Sequence, residues 1–297
     1  MPTIAFVTYA LKPDLTPSDQ LIADALTARG VTVIAAAWDD SSVDWSAFDA
    51  AVIRSTWNYF DKSVAFTAWL NHIESMNLPL MNPLKIIRWN MVKTYLRQME
   101  AEGLRVVPTV WVEQHTAPDL AEIVAGRGWG DVLIKSTISG GAKGIHKVPA
   151  GEAATHQSVL AEMAVACPIM IQPVLPEIHD GEISVLFAGG KFAHSVRKFP
   201  AEDNIFVQRM HGGHEVPYEA SQALIDEAAG VLEVARKLAD EQTIVYARVD
   251  GLLIEGCFTL MELEVLEPAL FVDYAPADTA DKFAAAIAEC IPSAQTA

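Results

Sequence analysis

Basic residues are scarce in this chain. Its 297 residues hold 21 Lys and Arg against 38 Asp and Glu, a formal charge of −17. A field of that sign repels polyanions and argues against nucleic acid as a partner; a small anion binds only where a local basic pocket or a metal ion offsets it. Cysteine is scarcer still. Cys167, Cys257 and Cys290 are odd in number, far apart and without a C-x-x-C pair, so buried or free thiols are expected rather than a disulfide framework or a zinc cluster. No apolar run approaches the roughly 20 residues of a membrane-spanning helix. The opening MPTIAFVTYALKPD has no basic n-region and no small-residue cleavage site, so it reads as a first strand and a cytoplasmic location is expected. Two nucleotide signatures are missing as well. No G-x-G-x-x-G follows the first strand, and the G-x-x-x-x-G-K-[ST] loop is absent.

What is present is a chain that is 51% hydrophobic, enough for a large core and for two or three domains. The first 85 residues alternate apolar strands (3–10, 31–38, 50–55) with helical spacing (Leu21, Ile22, Ala25, Leu26), Ser18 being a candidate cap and Gly30 a stop. That is βαβ grammar and predicts a parallel sheet. Residues 84–102 read as one helix carrying Lys93 and ended by Gly103. From 106 to 176, short strands surround two helical segments. Two alternating runs joined at Gly189-Gly190 predict a hairpin. An amphipathic helix over 221–241, a hairpin over 244–266 and a helix over 279–290 complete the chain, with a cleft expected between 90–170 and 171–290. The expected units are 1–85 on the substrate side, 86–171 carrying a flexible glycine loop, and 172–297 carrying an acidic hairpin.

The densest chemistry lies in YARVDGLLIEGCFTLMELEVLEP. A three-residue turn at Glu255, Gly256 and Cys257 sets Asp250 opposite Glu262 and Arg248 opposite Glu264, all on one face. A salt-bridge ladder from Arg248 to Glu264 leaves Asp250 facing Glu262 without a partner. A hard divalent cation, Mg²⁺ or Mn²⁺, relieves that repulsion and suits oxygen-only ligands. The register is the weak joint, because a two-residue turn puts Glu262 on the other face. The second motif is VLIKSTISGGAKGIHKV: Lys135 ends an apolar strand, and Ser139, Gly140, Gly141, Lys143 and Gly144 form a loop whose amides can approach phosphate. Arg248, two residues before Asp250, is placed to stabilise an oxyanion.

In order along the chain, Lys93, IKSTISGGAKGI, IQPVL, GEIS, ARVDG and MELE resemble the ATP-grasp superfamily of carboxylate–amine ligases, over about 85–270. The resemblance implies an α/β fold in three subdomains, with a parallel βαβ unit ahead of two α+β subdomains that hold ATP between them. It implies that Lys93 and Lys135 contact the phosphates, that the 139–144 loop with Lys143 closes over them, and that Gln172 and the Val174 backbone bind adenine. It also implies that Glu182 binds ribose and that Asp250, Glu262 and Glu264 hold magnesium. Glu264 stands where the family usually has Asn. Arg197 or Lys198 is a candidate phosphate or substrate contact, Arg197 being preferred. The N-terminal stretches WDDSSVDW and IRSTWNY are similar to the narrower glutathione-synthetase-like group that includes the O-ureido-serine cyclo-ligase of cycloserine biosynthesis. That likeness implies ADP-forming activation of an amino-acid-like carboxylate as an acyl phosphate, attacked by a nitrogen, with ring closure as one outcome. Arg54, Ser55 and Trp57, at a strand's C-terminal end, are the candidate acceptor contacts. The competing reading is a nucleotide-binding sensor that keeps the fold without ligating. A homodimer is compatible with the sequence, which carries no signal either way.

Overall fold

The computed structural model describes residues 1–292. β1 (Thr3–Thr8), β2 (Thr32–Ala37), β3 (Ala50–Ile53) and β4 (Leu80–Met81) form a parallel sheet ordered β2-β1-β3-β4. α1 (Pro17–Ala28) and α2 (Ser63–Ser75) cross between them. Parallel strands covered on both faces must be apolar without alternation. Ile4 to Val7 and Ala50 to Ile53 are accordingly all shut off from solvent. The cap of α1 is Thr16 rather than Ser18: its hydroxyl accepts from the Asp19 amide at 3.1 Å, with Pro17 at the first helical position. Ser18 is buried and accepts instead from the Val272 amide, 2.8 Å away and far along the chain.

The second sheet is antiparallel, ordered β5-β8-β6-β7 from β5 (Val110–Val112), β6 (Val132–Ser136), β7 (Ile145–Val148) and β8 (Ile169–Pro173). α5 (Leu120–Arg127) and α6 (Gln157–Ala166) close its core. The third sheet, ordered β11-β10-β9-β12-β13, comprises β9 (Glu182–Ala188), β10 (Lys191–Phe199), β11 (His214–Pro217), β12 (Tyr246–Ile254) and β13 (Cys257–Glu264). One face of it, through Ile183, Val185, Phe187, Ala247 and Val249, packs on α7 (Gln222–Ala239). Side chains alternate along a strand, so Tyr246, Arg248 and Asp250 share the other face. There Leu186, Val196 and Tyr246 meet Ile4 and Phe6 of β1 and Phe283 of α8 (Thr279–Cys290).

The single helix expected over 84–102 is two, α3 (Leu84–Asn90) and α4 (Tyr95–Ala101). The break has a cause. The Lys93 amide donates to the Thr137 carbonyl at 2.8 Å, and the Asn90 side chain donates to the Leu263 carbonyl at 2.8 Å while accepting from the Val265 amide at 3.1 Å. Bonds across the fold replace the intrahelical ladder there and lift Lys93 out of the helix. Both helices pack into the core beneath the third sheet, although they precede the second sheet in sequence.

The N-terminal sheet is joined to the third by buried polar groups. The Asn82 amide donates to the carbonyls of Tyr246 (2.8 Å) and Val265 (2.7 Å), and its oxygen accepts from the Val245 amide at 2.5 Å. The Tyr246 hydroxyl lies 2.8 Å from the Ile53 carbonyl and 2.7 Å from that of Met81. These bonds hold the C-terminal edge of the parallel sheet over the charged end of β12.

Candidate active site

Two β-bulges decide which side chains enter the site. The second hairpin turns on two residues, Glu255 and Gly256 (φ 52° and 77°), not on the three expected, with Ile254 paired to Cys257. Continued without interruption, that register would set Met261 opposite Asp250. Instead the ladder slips between Asp250 and Gly251, leaving Met261 unpaired, so Asp250 faces Glu262 and Arg248 faces Glu264. The anticipated pairs exist, reached by a different turn plus one extra residue. Only glycine fits at the slip: a Cβ on Gly251 would sit 2.5 Å from the Phe258 ring and 2.6 Å from the Thr259 carbonyl.

The first hairpin behaves alike. Lys191 pairs with Ala188 around Gly189-Gly190, then the register shifts between Phe192 and His194, so that Lys198 rather than Arg197 faces Glu182. This corrects the preference for Arg197. Its guanidinium lies over the Tyr218 ring, 5.1 Å from the centroid, on the side of the sheet away from Asp250. Lys198 is the residue in the site, ion-paired to Glu182 and 3.2 Å from Asp250.

Asp250 is the hub. Ser184 donates to it at 2.5 Å, and Arg248 approaches both of its oxygens at 3.0 Å through Nε and at 2.8 Å through Nη2. Burial alone would raise its pKa, but Arg248 and Lys198 outweigh burial and hold it well below the usual carboxylate range. Arg248 also reaches Glu264 at 2.6 Å and the Ala269 carbonyl at 3.1 Å. Lys93 is ion-paired with Glu262, and its pKa is raised: burial opposes the charge, yet the Glu262 carboxylate prevails. Burial pushes Glu264 up to about 7 against the pull of Arg248. Glu267, a group the sequence reading passed over, is raised to about 8 by burial and then by Glu264. Five acids, Glu182, Asp250, Glu262, Glu264 and Glu267, thus face four cations, Lys93, Lys135, Lys198 and Arg248, and burial raises the pKa of Glu182, Glu264 and Glu267.

That ledger corrects one step of the sequence argument. The repulsion between Asp250 and Glu262 is relieved by Lys198, Arg248 and Lys93, with no inorganic ion required. Among the described residues no three acidic, His or Cys side chains converge as a preformed metal centre. The donor chemistry nevertheless suits a hard cation in part. Glu262 and Glu264 each have one oxygen in an ion pair and one without a hydrogen bond among the described residues, whereas both oxygens of Asp250 are occupied.

The cleft leading to this cluster is lined by Lys135, Gln172, Val174, Glu182, Val207, Leu252 and Met261, apolar at one end and charged at the other. Burial lowers Lys135 to about 8, and Lys93 adds to that while Glu262 opposes it. Gln172 is held by a bond from its amide to the Thr109 hydroxyl at 2.9 Å. The Val174 amide is already bonded to the Asp131 carbonyl at 2.9 Å, so of its backbone groups only the carbonyl can meet a base. The glycine loop connects two residues of that lining, Lys135 and Ile145. The Ser139 hydroxyl donates to the Ser136 carbonyl at 2.9 Å, Gly140 touches Phe60, Gly141 has φ 57°, and Lys143 pairs with Asp61 at 2.7 Å rather than pointing into the cleft.

On the acceptor side the three candidates separate. Arg54 is only 1% exposed and fully engaged: Asp19 at 2.8 Å, the Pro268 carbonyl at 2.8 Å and the Tyr246 ring at 5.0 Å. It is a structural clamp, which corrects its expected role as a substrate contact. The Trp57 indole donates to the Glu267 carbonyl at 3.2 Å, tying this turn to the segment beyond β13. The Ser55 hydroxyl is buried without a partner among the described residues, as is its neighbour Thr56. Lys198 had been named beside Arg197 as a candidate contact; Glu267 was within reach only as a charge in apolar surroundings, and nothing local marked Asp61.

A parallel sheet followed by two antiparallel α+β units, with a lysine-lined cleft between them, is the ATP-grasp fold, and this chain has it. Among relatives, a family model described as the N-terminal domain of D-cycloserine synthetase DcsG matches residues 4–82. The cycloserine biosynthesis protein DcsG of Streptomyces lavendulae is 26% identical over 97% of this chain and 99% of its own length. The crystal structure of D-cycloserine synthetase DcsG superposes with a TM-score of 0.88 at 24% identity, covering 98% of this chain and 100% of that one. D-alanine–D-alanine ligase from Bacillus anthracis complexed with ATP superposes at 0.68 with 15% identity, 97% of each chain being covered.

Proposed function

We propose that this chain is an ADP-forming carbon–nitrogen ligase that activates the carboxylate of a small amino-acid-like substrate as an acyl phosphate. The observation that carries the reading is a cleft lined by Gln172, Val174, Lys135 and Glu182, whose two charged residues adjoin the cluster of Lys93, Lys198, Arg248, Asp250, Glu262 and Glu264. Phosphoryl transfer asks a protein for alignment and charge neutralisation more than for covalent chemistry. Lys135 and Lys93 supply fixed positive charge for the triphosphate, and Glu182 lines the intervening wall. Glu262 and Glu264 would hold Mg²⁺, which neutralises phosphate charge when bound; Mn²⁺ accepts the same oxygen donors.

Arg248 is built for the acyl centre. Four of its five N–H groups are taken by Asp250, Glu264 and Ala269, which fixes the plane and leaves one to meet a developing oxyanion. Asp250 and Lys198 set that orientation and do no chemistry themselves. An acyl phosphate is labile in water, so the glycine loop serves to keep water out. Trp57, Ser55 and Thr56 face the acceptor from the N-terminal sheet. The full-length likeness to a cycloserine synthetase favours a nitrogen on the same molecule as the nucleophile, as in closure of O-ureido-serine to cycloserine. The test is ADP release across D- and L-amino acids, dipeptides and O-ureido-serine, with mass analysis of products. Substrate-dependent ADP with a product one water lighter than O-ureido-serine, or with that product after water has cleaved its carbamoyl group to carbon dioxide and ammonia, supports ring closure. ATP binding with no substrate stimulation in any case rejects ligation.

A further inference from the structure

Lys143 belongs to the glycine loop, yet its ammonium lies 2.7 Å from Asp61 and 5.5 Å from the centroid of Phe60, both in the turn before α2 of the N-terminal sheet. The contact is not one pair alone. Gly140 lies so close to Phe60 that a Cβ there would be 2.6 Å from the ring, so the loop backbone rests directly on the aromatic edge. From the opposite side the Met210 sulfur lies 3.7 Å from where a Cβ of Gly141 would be, and His211 is 3.5 Å from the Gly141 carbonyl. The loop is therefore gripped between the N-terminal turn and the segment before β11. The same turn carries Trp57, whose indole is bonded to the Glu267 carbonyl beside the carboxylate cluster.

We infer that Phe60 and Asp61 are positioning residues for the reaction: they latch the glycine loop shut through Gly140 and Lys143, so that closure over nucleotide depends on the N-terminal, acceptor-bearing sheet. The strength of the contact suits that task. Lys143 and Asp61 are 60% and 48% exposed, and an ion pair so exposed shifts an equilibrium by about two- to fivefold. A lid that must reopen in each turnover needs a weak latch. The ring contact, with the ammonium over its face, adds a geometric requirement that charge alone does not.

The inference rests on the nucleotide-binding half of the proposed function, and its test does not need ligation. Amide hydrogen exchange of segment 138–145 is followed in the full chain with ATP and Mg²⁺. Asp61→Asn is expected to speed exchange about three- to fivefold, and Gly140→Ala at least as much, because the added methyl displaces Phe60. The reversed pair, Asp61→Lys with Lys143→Asp, is expected to restore protection that either single change loses. In steady-state assays Asp61→Asn should raise the KM for ATP more than it lowers kcat. Unchanged exchange in both Asp61→Asn and Gly140→Ala, or no restoration in the reversed pair, overturns the latch. Exchange that depends on Asp61 in a protein that ligates nothing upholds the latch and rejects the ligase reading instead.

Discussion

Lys135 shows how burial and charge share one side chain between structure and function. Half-buried near the end of β6, it has a pKa lowered to about 8 because desolvation disfavours its charged form and Lys93 adds to that, while Glu262 partly offsets them. The ammonium that would meet phosphate exists below that value and is lost above it. The kcat/KM for ATP is therefore predicted to decline as pH rises through about 8. Lys135→Arg, whose guanidinium stays charged, should remove the decline, and Lys135→Ala should lower kcat/KM by about 10- to 100-fold at neutral pH. Arg54 sits at the other extreme, a charge buried for architecture. Removing one partner of a buried pair strands the other, so Arg54→Ala should cost about 3–5 kcal/mol of unfolding free energy by leaving Asp19 unpaired. Denaturant melts that show less than about 1 kcal/mol would contradict the clamp.

At the scale of elements, the acidic hairpin carries the argument. Gly251 permits the bulge that returns Glu262 to the face of Asp250. Gly251→Ala is predicted to lose ATP-dependent activity by at least about tenfold while costing about 1–3 kcal/mol in stability, since overpacking and a lost register act together. Activity that falls only in proportion to stability would show that the register is unimportant. The same bulges mark the limit of what the primary structure discloses. Apolar runs and the Gly-Gly turn made the order of strands and helices legible, and the pairing of Arg248 with Glu264 could be counted from a turn. The extra residue of a bulge is ordinary, Met261 in one case and a residue of Phe192–His194 in the other; Gly251 inside its strand was the one local sign of the first, and nothing local marked the second. One slip cancelled a wrong turn length; the other exchanged Arg197 for Lys198. The break between α3 and α4 was hidden for a related reason, since the bonds of Lys93 and Asn90 that cause it go to residues far along the chain.

For the whole molecule, charge and layering combine. A chain of net charge −17 gathers four of its cations around one cleft, where Lys93, Lys135, Lys198 and Arg248 face the third sheet's carboxylates. A small polyanion can settle there although the surface field opposes it. No helix among the described residues is long and apolar enough to cross a membrane. The N-terminal sheet is fixed to the third by Asn82, Tyr246 and Arg54, so its Ser55–Trp57 turn has a set position above the cluster. On the proposed reading, acceptor and nucleotide would meet at the joint between these two sheets, and the glycine loop would be the element that closes over them.

The direct test of carboxylate activation is the fate of its oxygen. With a productive substrate whose carboxylate is labelled with ¹⁸O, transfer of the γ-phosphoryl group to that carboxylate predicts that the phosphate released carries one labelled oxygen per turnover. Phosphate free of label, alongside normal product formation, would show that the carboxylate is never phosphorylated and would contradict the mechanism.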